Sequence, residues 1–152
     1  MLRWAMSGCF ALGLIAAPAL AAGPHGTATE AEALVKRAIS YIKEVGPEKA
    51  FAAFDDRSGP FVDRDLYIFV RSLDGNTVAH GANKAMIGHT TIDLTDADGK
   101  PYNREMIQIA KTKGSGWVDY RWVNPVDKKI EQKSSYIERT GDYVVGAGFY
   151  KQ

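Results

Sequence analysis

Three histidines, His25, His80 and His89, are the first residues to test for chemistry, because imidazole binds metals and moves protons near neutral pH. None has a second ligand at a spacing that sets two donors on one helix face or in one tight turn, as a zinc site needs. In Gly23-Pro24-His25 a processed amino terminus would place a histidine third, where copper or nickel binds. Pro24, however, lacks the amide nitrogen that such a site deprotonates. No metal and no cofactor is expected. Ser115 stands between two glycines like a nucleophile in its elbow, but it opens a strand rather than a strand-to-helix turn. Asp55, Asp56, Asp63 and Asp65 are clustered in sequence without a cleft that would make two of them a hydrolytic pair. The turns at Gly75 and Gly99 open no helix with consecutive glycines, so no phosphate loop is present. His80 as a general base near Tyr120 is the single catalytic arrangement these residues allow, and an enzyme is not expected.

Aromatic residues instead concentrate in two stretches that read as hairpins. Trp117, Tyr120 and Trp122 follow one another closely, and period-two alternation puts Tyr120 and Trp122 on one face with Val118 while Trp117 faces away. In the first hairpin Tyr67, Phe69 and Arg71 share a face, with Arg71 expected as a strand-end surface residue. Lys133 and Tyr136 are three apart on a returning strand, so strict alternation turns them to opposite faces. A bulge or strand end between them would bring both to one pocket. Hydroxyl and ammonium donors beside an apolar wall suit a small carboxylate. The competing reading is an aromatic core whose polar tips are bonded to backbone.

The elements that must hold these residues follow from the pattern. Thr27 and Thr29 each precede a glutamate by three residues, Glu30 and Glu32, which makes two overlapping capping boxes. Apolar residues then recur at Ala31, Leu34, Val35, Ala38, Ile39, Ile42 and Val45, one face of a long helix. Gly46-Pro47 ends it and starts a second helix through Phe54. Strands are expected over 66–72 and 77–80 around Asp74-Gly75-Asn76, then over 116–123, 130–139 and 143–150. The intervening 81–102 reads as loop and 104–111 as a short helix. The fold class is therefore α+β with an antiparallel sheet.

Arg3 and the apolar run from Cys9 to Ala17, followed by Ala19-Leu20-Ala21, have the make-up of a cleavable secretory signal peptide over residues 1–21. A span would need roughly 20 apolar residues, and this run stops at Pro18. A short extension, 22–28, and one domain, 29–152, are expected in the periplasm. Cleavage removes the single cysteine, Cys9, so the mature fold relies on its core and not on disulfides. With 19 basic against 18 acidic residues and no basic cluster, nucleic-acid binding is not expected. An aromatic content of 11% gives the chain enough apolar surface to fold.

Several motifs in order resemble the single Cache domains of bacterial extracytoplasmic sensors. They are Gly46-Pro47-Glu48-Lys49-Ala50-Phe51, Pro60-Phe61, Tyr67-Ile68-Phe69-Val70 with Asp74-Gly75 and Val78-Ala79-His80, Ile87-Gly88, and Asp96-Ala97-Asp98-Gly99-Lys100. Gly116-Trp117-Val118-Asp119-Tyr120-Arg121-Trp122 with Pro125, and Lys133-Ser134-Ser135-Tyr136, complete the series. The resemblance implies a long N-terminal helix on a PAS-like antiparallel sheet, with a short helix in the connecting segment. It also implies a pocket for small metabolites such as acetate, propionate, lactate or pyruvate. By position the ligand residues would be Tyr67, Phe69, His80, Tyr120, Trp122, Lys133 and Tyr136, with Met106 and Trp117 as weaker candidates. Such domains sit between two spans of a receptor. The expectation here is a periplasmic binding module without its own signalling domain, a possible homodimer through the long helix and a possible partner of a membrane receptor. The alternative is a dimerising scaffold, or an accessory partner of a membrane receptor or transporter, with no ligand of its own.

Overall fold

A computed structural model describes residues 23–152, so the expected signal peptide lies outside the described residues. Helix α1, Ala28–Val45, starts where the capping box puts it. Thr27 Oγ1 accepts from Glu30 N, and the Glu30 carboxylate accepts from Thr27 N at 2.8 Å. Thr29 falls inside the helix, so the second box is not used as a cap. Gly46, at φ +85°, breaks the chain out of α1, and Pro47 begins α2, Pro47–Phe54. The apolar stripe of α1 is buried throughout, from Ala31 to Ile42.

A two-stranded ribbon follows, β1 (Val62–Asp63) and β2 (Leu66–Tyr67). Then come β3 (Phe69–Ser72) and β4 (Thr77–His80), which make the first hairpin. After a loop with one 3₁₀ turn at Lys84–Met86, helix α3 runs Tyr102–Thr112. It begins two residues before the expected start, which takes Tyr102 out of the loop and into the first turn. Strands β5 (Ser115–Val123), β6 (Ile130–Thr140) and β7 (Tyr143–Tyr150) complete an antiparallel sheet in the order β4-β3-β7-β6-β5.

The sheet separates two cores. On one face α1 and α2 pack over Val70, Ala79, Tyr136, Val145 and Ala147. On the other, α3 and the 81–101 loop cover Tyr67, Phe69, Val118, Tyr120, Ile137 and Val144. The loop is tied to the β5 edge by Asp96, whose carboxylate accepts from Arg121 N at 2.9 Å and from Asp98 N and Lys100 N. That contact also occupies a backbone donor on an otherwise open edge strand.

No helix among the described residues is long and apolar enough to cross a membrane.

Candidate functional site

The register of β6 decides what the α3-side face presents. It pairs residue for residue with β5 and β7, without a bulge. Alternation then places Lys133, Ser135 and Ile137 on one face and Ser134 and Tyr136 on the other. Tyr136 therefore does not join Lys133. It packs on the α1 side, with its hydroxyl on Glu138 at 3.0 Å and its ring 5.4 Å from Trp117. Trp117, the weaker candidate, lies on that side too, against Phe149.

The other expected residues converge. Tyr67, Phe69, His80, Tyr120 and Lys133 are all buried beneath α3 and the loop, with Trp122 half-buried at the rim and Met106 fully buried on α3. The irregularity in β3–β4 pairing sets Arg71 opposite Thr77 and skips Val78. Thr77 Oγ1 consequently lies 3.2 Å from Thr91 Oγ1, which accepts from Arg71 Nε at 3.3 Å. Arg71 is thus not the surface residue expected at a strand end. It is 3% exposed, because the 81–101 loop and α3 close over it.

Two cations are therefore interior, and among the described residues neither makes an ion pair. Lys133, fully buried, donates to Tyr67 Oη at 2.8 Å and Tyr150 Oη at 3.4 Å. Its ammonium lies 4.0 Å from the Tyr67 ring centre and 4.8 Å from that of Tyr150. The Arg71 guanidinium lies 4.6 Å from the Phe69 ring centre, and beyond Thr91 its protein contact is Met106 Sδ at 3.9 Å. Ring faces compensate a desolvated cation by about 2 kcal/mol, well short of what a carboxylate supplies. Burial, with Arg71 adding to it, holds the Lys133 amine well below its ordinary range. Burial also lowers Arg71.

The neutral groups present donors as well. His80 Nδ1 accepts from the backbone N–H of Asn83 at 3.0 Å and of Ala82 at 3.3 Å, so the ring proton sits on Nε2. Burial, with Arg71 and Lys133 acting in the same direction, pushes His80 down to about 3. It is a neutral donor and a poor general base. Tyr102 stacks on Tyr120 with ring centres 4.5 Å apart, and its buried hydroxyl has no hydrogen-bond partner among the described residues. Tyr120 Oη pairs with Ser135 Oγ at 3.0 Å. Burial raises Tyr67 to about 12 and raises Tyr120 as well, so both hydroxyls stay protonated. A buried donor without an acceptor costs about 1–3 kcal/mol, and more when it is charged. The two cations meet neutral acceptors, the hydroxyls of Tyr67, Tyr150 and Thr91, and among the described residues no carboxylate pairs with them.

Two glycines of β7 make the space. A Cβ on Gly146 would enter the Phe69 ring, and one on Gly148 would lie 2.6 Å from Lys133 Cε. On the outer side, Tyr67 and Trp122 line a cleft of about 540 Å³ whose other walls include Met86, Leu94 and Pro125, with Arg57 and Lys128 at its polar edge.

Sequence reasoning left out Tyr102, Tyr150, Ser135 and the two glycines, and misplaced Arg71. Alternation outward from Lys133 across the β6–β7 pair would have found Ser135, Gly148 and Tyr150.

A family model described as the Cache domain matches residues 61–152. This chain belongs to the Cache family. The Cache domain found here has the helix-on-antiparallel-sheet fold of solved chemosensory domains. A methyl-accepting chemotaxis protein from Vibrio parahaemolyticus is 21% identical with TM-score 0.70, covering 80% of this chain and 86% of that one. A Cache chemosensory domain, solved as the structural basis for carboxylic acid recognition, is 21% identical with TM-score 0.69, covering 82% and 92%. In sequence, this Cache domain is 37% identical over 89 residues to the sensor histidine kinase MctS of Rhizobium johnstonii. It is 29% identical over 90 residues to the chemotaxis protein McpP of Pseudomonas putida. These stretches are 57% and 58% of this chain but only 19% and 16% of the relatives. Cache domains are extracytoplasmic, and this one is a ligand-sensing module.

Proposed function

We propose that this Cache domain binds a short-chain carboxylate in the periplasm, with the acid's oxygens against Lys133, Arg71, Tyr102 and His80 Nε2. One observation carries the reading: two buried cations and a buried hydroxyl converge without an acid among the described residues to meet them. An organic anion supplies the missing charge and the missing acceptors. The buried acid of the described residues, Asp65, is engaged by His25 and Gly26, so no free carboxylate is present to hold an ammonium. That favours acetate, propionate, lactate or pyruvate over amino acids. Phe69, Tyr120 and Trp122 form the wall for the short carbon chain, and the cleft beyond Tyr67 and Trp122 is the route in. The relative of similar fold that recognises carboxylic acids supports this reading. With His80 neutral and poorly basic, binding without turnover is the activity proposed. Export through residues 1–21 brings the domain to such solutes.

Isothermal titration calorimetry tests the reading, and its pH dependence is specific. Lys133 is held below its ordinary pKa in the free domain, and an adjacent carboxylate raises it again. Between those two values binding takes up a proton, so affinity falls as pH rises through that window. The expected result is saturable heat with propionate, varying with the ionisation enthalpy of the buffer, and none with a primary amine of similar size. Absence of heat with all four acids at millimolar concentration would overturn the assignment.

A further inference from the structure

Asp65 is a buried acid that the anion site leaves unused, and its side chain is fully enclosed. It lies in the turn of the β1–β2 ribbon and its carboxylate meets the N-terminal segment. Gly26 N–H donates to Oδ1 at 2.7 Å, and His25 Nδ1 lies 2.9 Å from Oδ2. Arg64 beside it, at φ +57°, donates to the carbonyls of His25 at 2.7 Å and Gly23 at 3.0 Å and pairs with Glu30 of α1 at 2.7 Å. A Cβ on Gly26 would lie 2.7 Å from Leu66 Cδ1, so the close approach needs glycine. Both groups bonded to Asp65 come from residues 25 and 26. If that segment leaves, a buried carboxylate is left without donors.

The same ribbon reaches the anion site. Tyr67, two residues after Asp65, is the phenol that accepts from Lys133 Nζ at 2.8 Å. The field of Asp65 acts on Lys133 as a favourable charge. With its donors in place, Asp65 is satisfied locally and Lys133 is left for an external anion. Loss of those donors would leave Lys133 as the cation whose field offsets Asp65, in competition with that anion.

We propose that Asp65, His25 and Gly26 form a positioning latch for the anion site, so that seating of residues 23–26 and binding of a carboxylate at Lys133 favour each other. The inference rests on the carboxylate reading above. Linkage makes the coupling reciprocal: each event strengthens the other by the same factor.

The test follows the Gly26 amide by NMR hydrogen exchange in the purified protein, with the Ile137 amide of β6 as core reference. Saturating propionate slows Gly26 exchange at least fivefold relative to Ile137. His25→Ala raises the Kd for propionate about fivefold without changing the circular dichroism of the fold. Lys133→Met, which removes the competing cation, slows Gly26 exchange at least threefold without ligand and abolishes the propionate effect. If propionate binds and Gly26 exchange does not change, the latch is overturned and the carboxylate reading stands. If propionate does not bind, that reading falls, and the ligand-free Lys133→Met comparison alone decides the latch: equal Gly26 exchange in both proteins overturns it.

Discussion

Lys133→Met should make the protein more stable and a much weaker binder of short carboxylates. The ammonium is enclosed, meets two phenols and two ring faces, and has no acidic partner among the described residues. Methionine keeps the unbranched shape and removes the desolvated charge. Replacing buried ionic groups with apolar ones of similar volume is often stabilising by about 1–3 kcal/mol, a rise in melting temperature of roughly 3–10 °C for a domain of this size. The same change deletes a charge-assisted contact to the ligand and should weaken binding by about 2 kcal/mol or more, roughly 30-fold.

The pH dependence of stability separates the two proteins further. Because the folded-state pKa of Lys133 is lowered, the unfolded chain binds more protons between that value and the ordinary 10.5. Wild-type stability therefore gains with rising pH across that window, and Lys133→Met loses that contribution. Thermal melts over a pH series, beside titrations with propionate, read both effects. A mutant that melts lower and binds normally would show that Lys133 is a structural residue.

Gly148→Ala should act in the opposite sense on stability and in the same sense on binding. The new Cβ would meet Lys133 Cε at 2.6 Å and the Ser134 carbonyl at 2.8 Å, and the latter is backbone that cannot swing away. Overpacking of this kind costs about 1–3 kcal/mol. Lys133 must shift to relieve it, which moves the ammonium off Tyr67 Oη and lowers affinity. Gly141, at φ +58° with open space around it, provides the contrast. Gly141→Ala strains the backbone but touches nothing in the cluster, so its melting temperature falls while the affinity of the folded fraction holds. Denaturation curves and calorimetry on the two variants distinguish a positioning effect from general destabilisation.

Much of the architecture was legible because local rules and tertiary packing agree. The Thr27–Glu30 box, the Ala31–Ile42 stripe, Gly46-Pro47 and the Asp74-Gly75 turn each act within a few residues. Alternation alone set Tyr67 beside Phe69 and Tyr120 beside Trp122, and the family resemblance brought the two pairs to one face. Tyr136 marks the limit of that rule. A bulge on β6 was needed to bring it beside Lys133, and the unbroken β6 register keeps it on the helix side. Arg71 escaped for a different reason. Its burial is imposed by Thr91 and Met106, which are 20 and 35 residues away in sequence, and a strand-end arginine carries no local mark of what will cover it. Tyr102 was hidden by the α3 boundary, where Pro101 reads as loop and in fact stands at the N-cap position, directly before the first helical residue. Gly146 and Gly148 look like poor strand residues until their neighbours are known. The space they leave is then taken by Phe69 and Lys133.

The central claim is that Lys133, Arg71 and Tyr102 wait for a carboxylate. A crystal structure grown with propionate tests it most directly. The predicted result is a propionate carboxylate within hydrogen-bond distance of Lys133 Nζ and the Arg71 guanidinium, with Tyr102 Oη donating to one oxygen and the carbon chain against Phe69 and Trp122. Propionate bound away from these groups, or an unchanged cluster at saturating propionate, would contradict it.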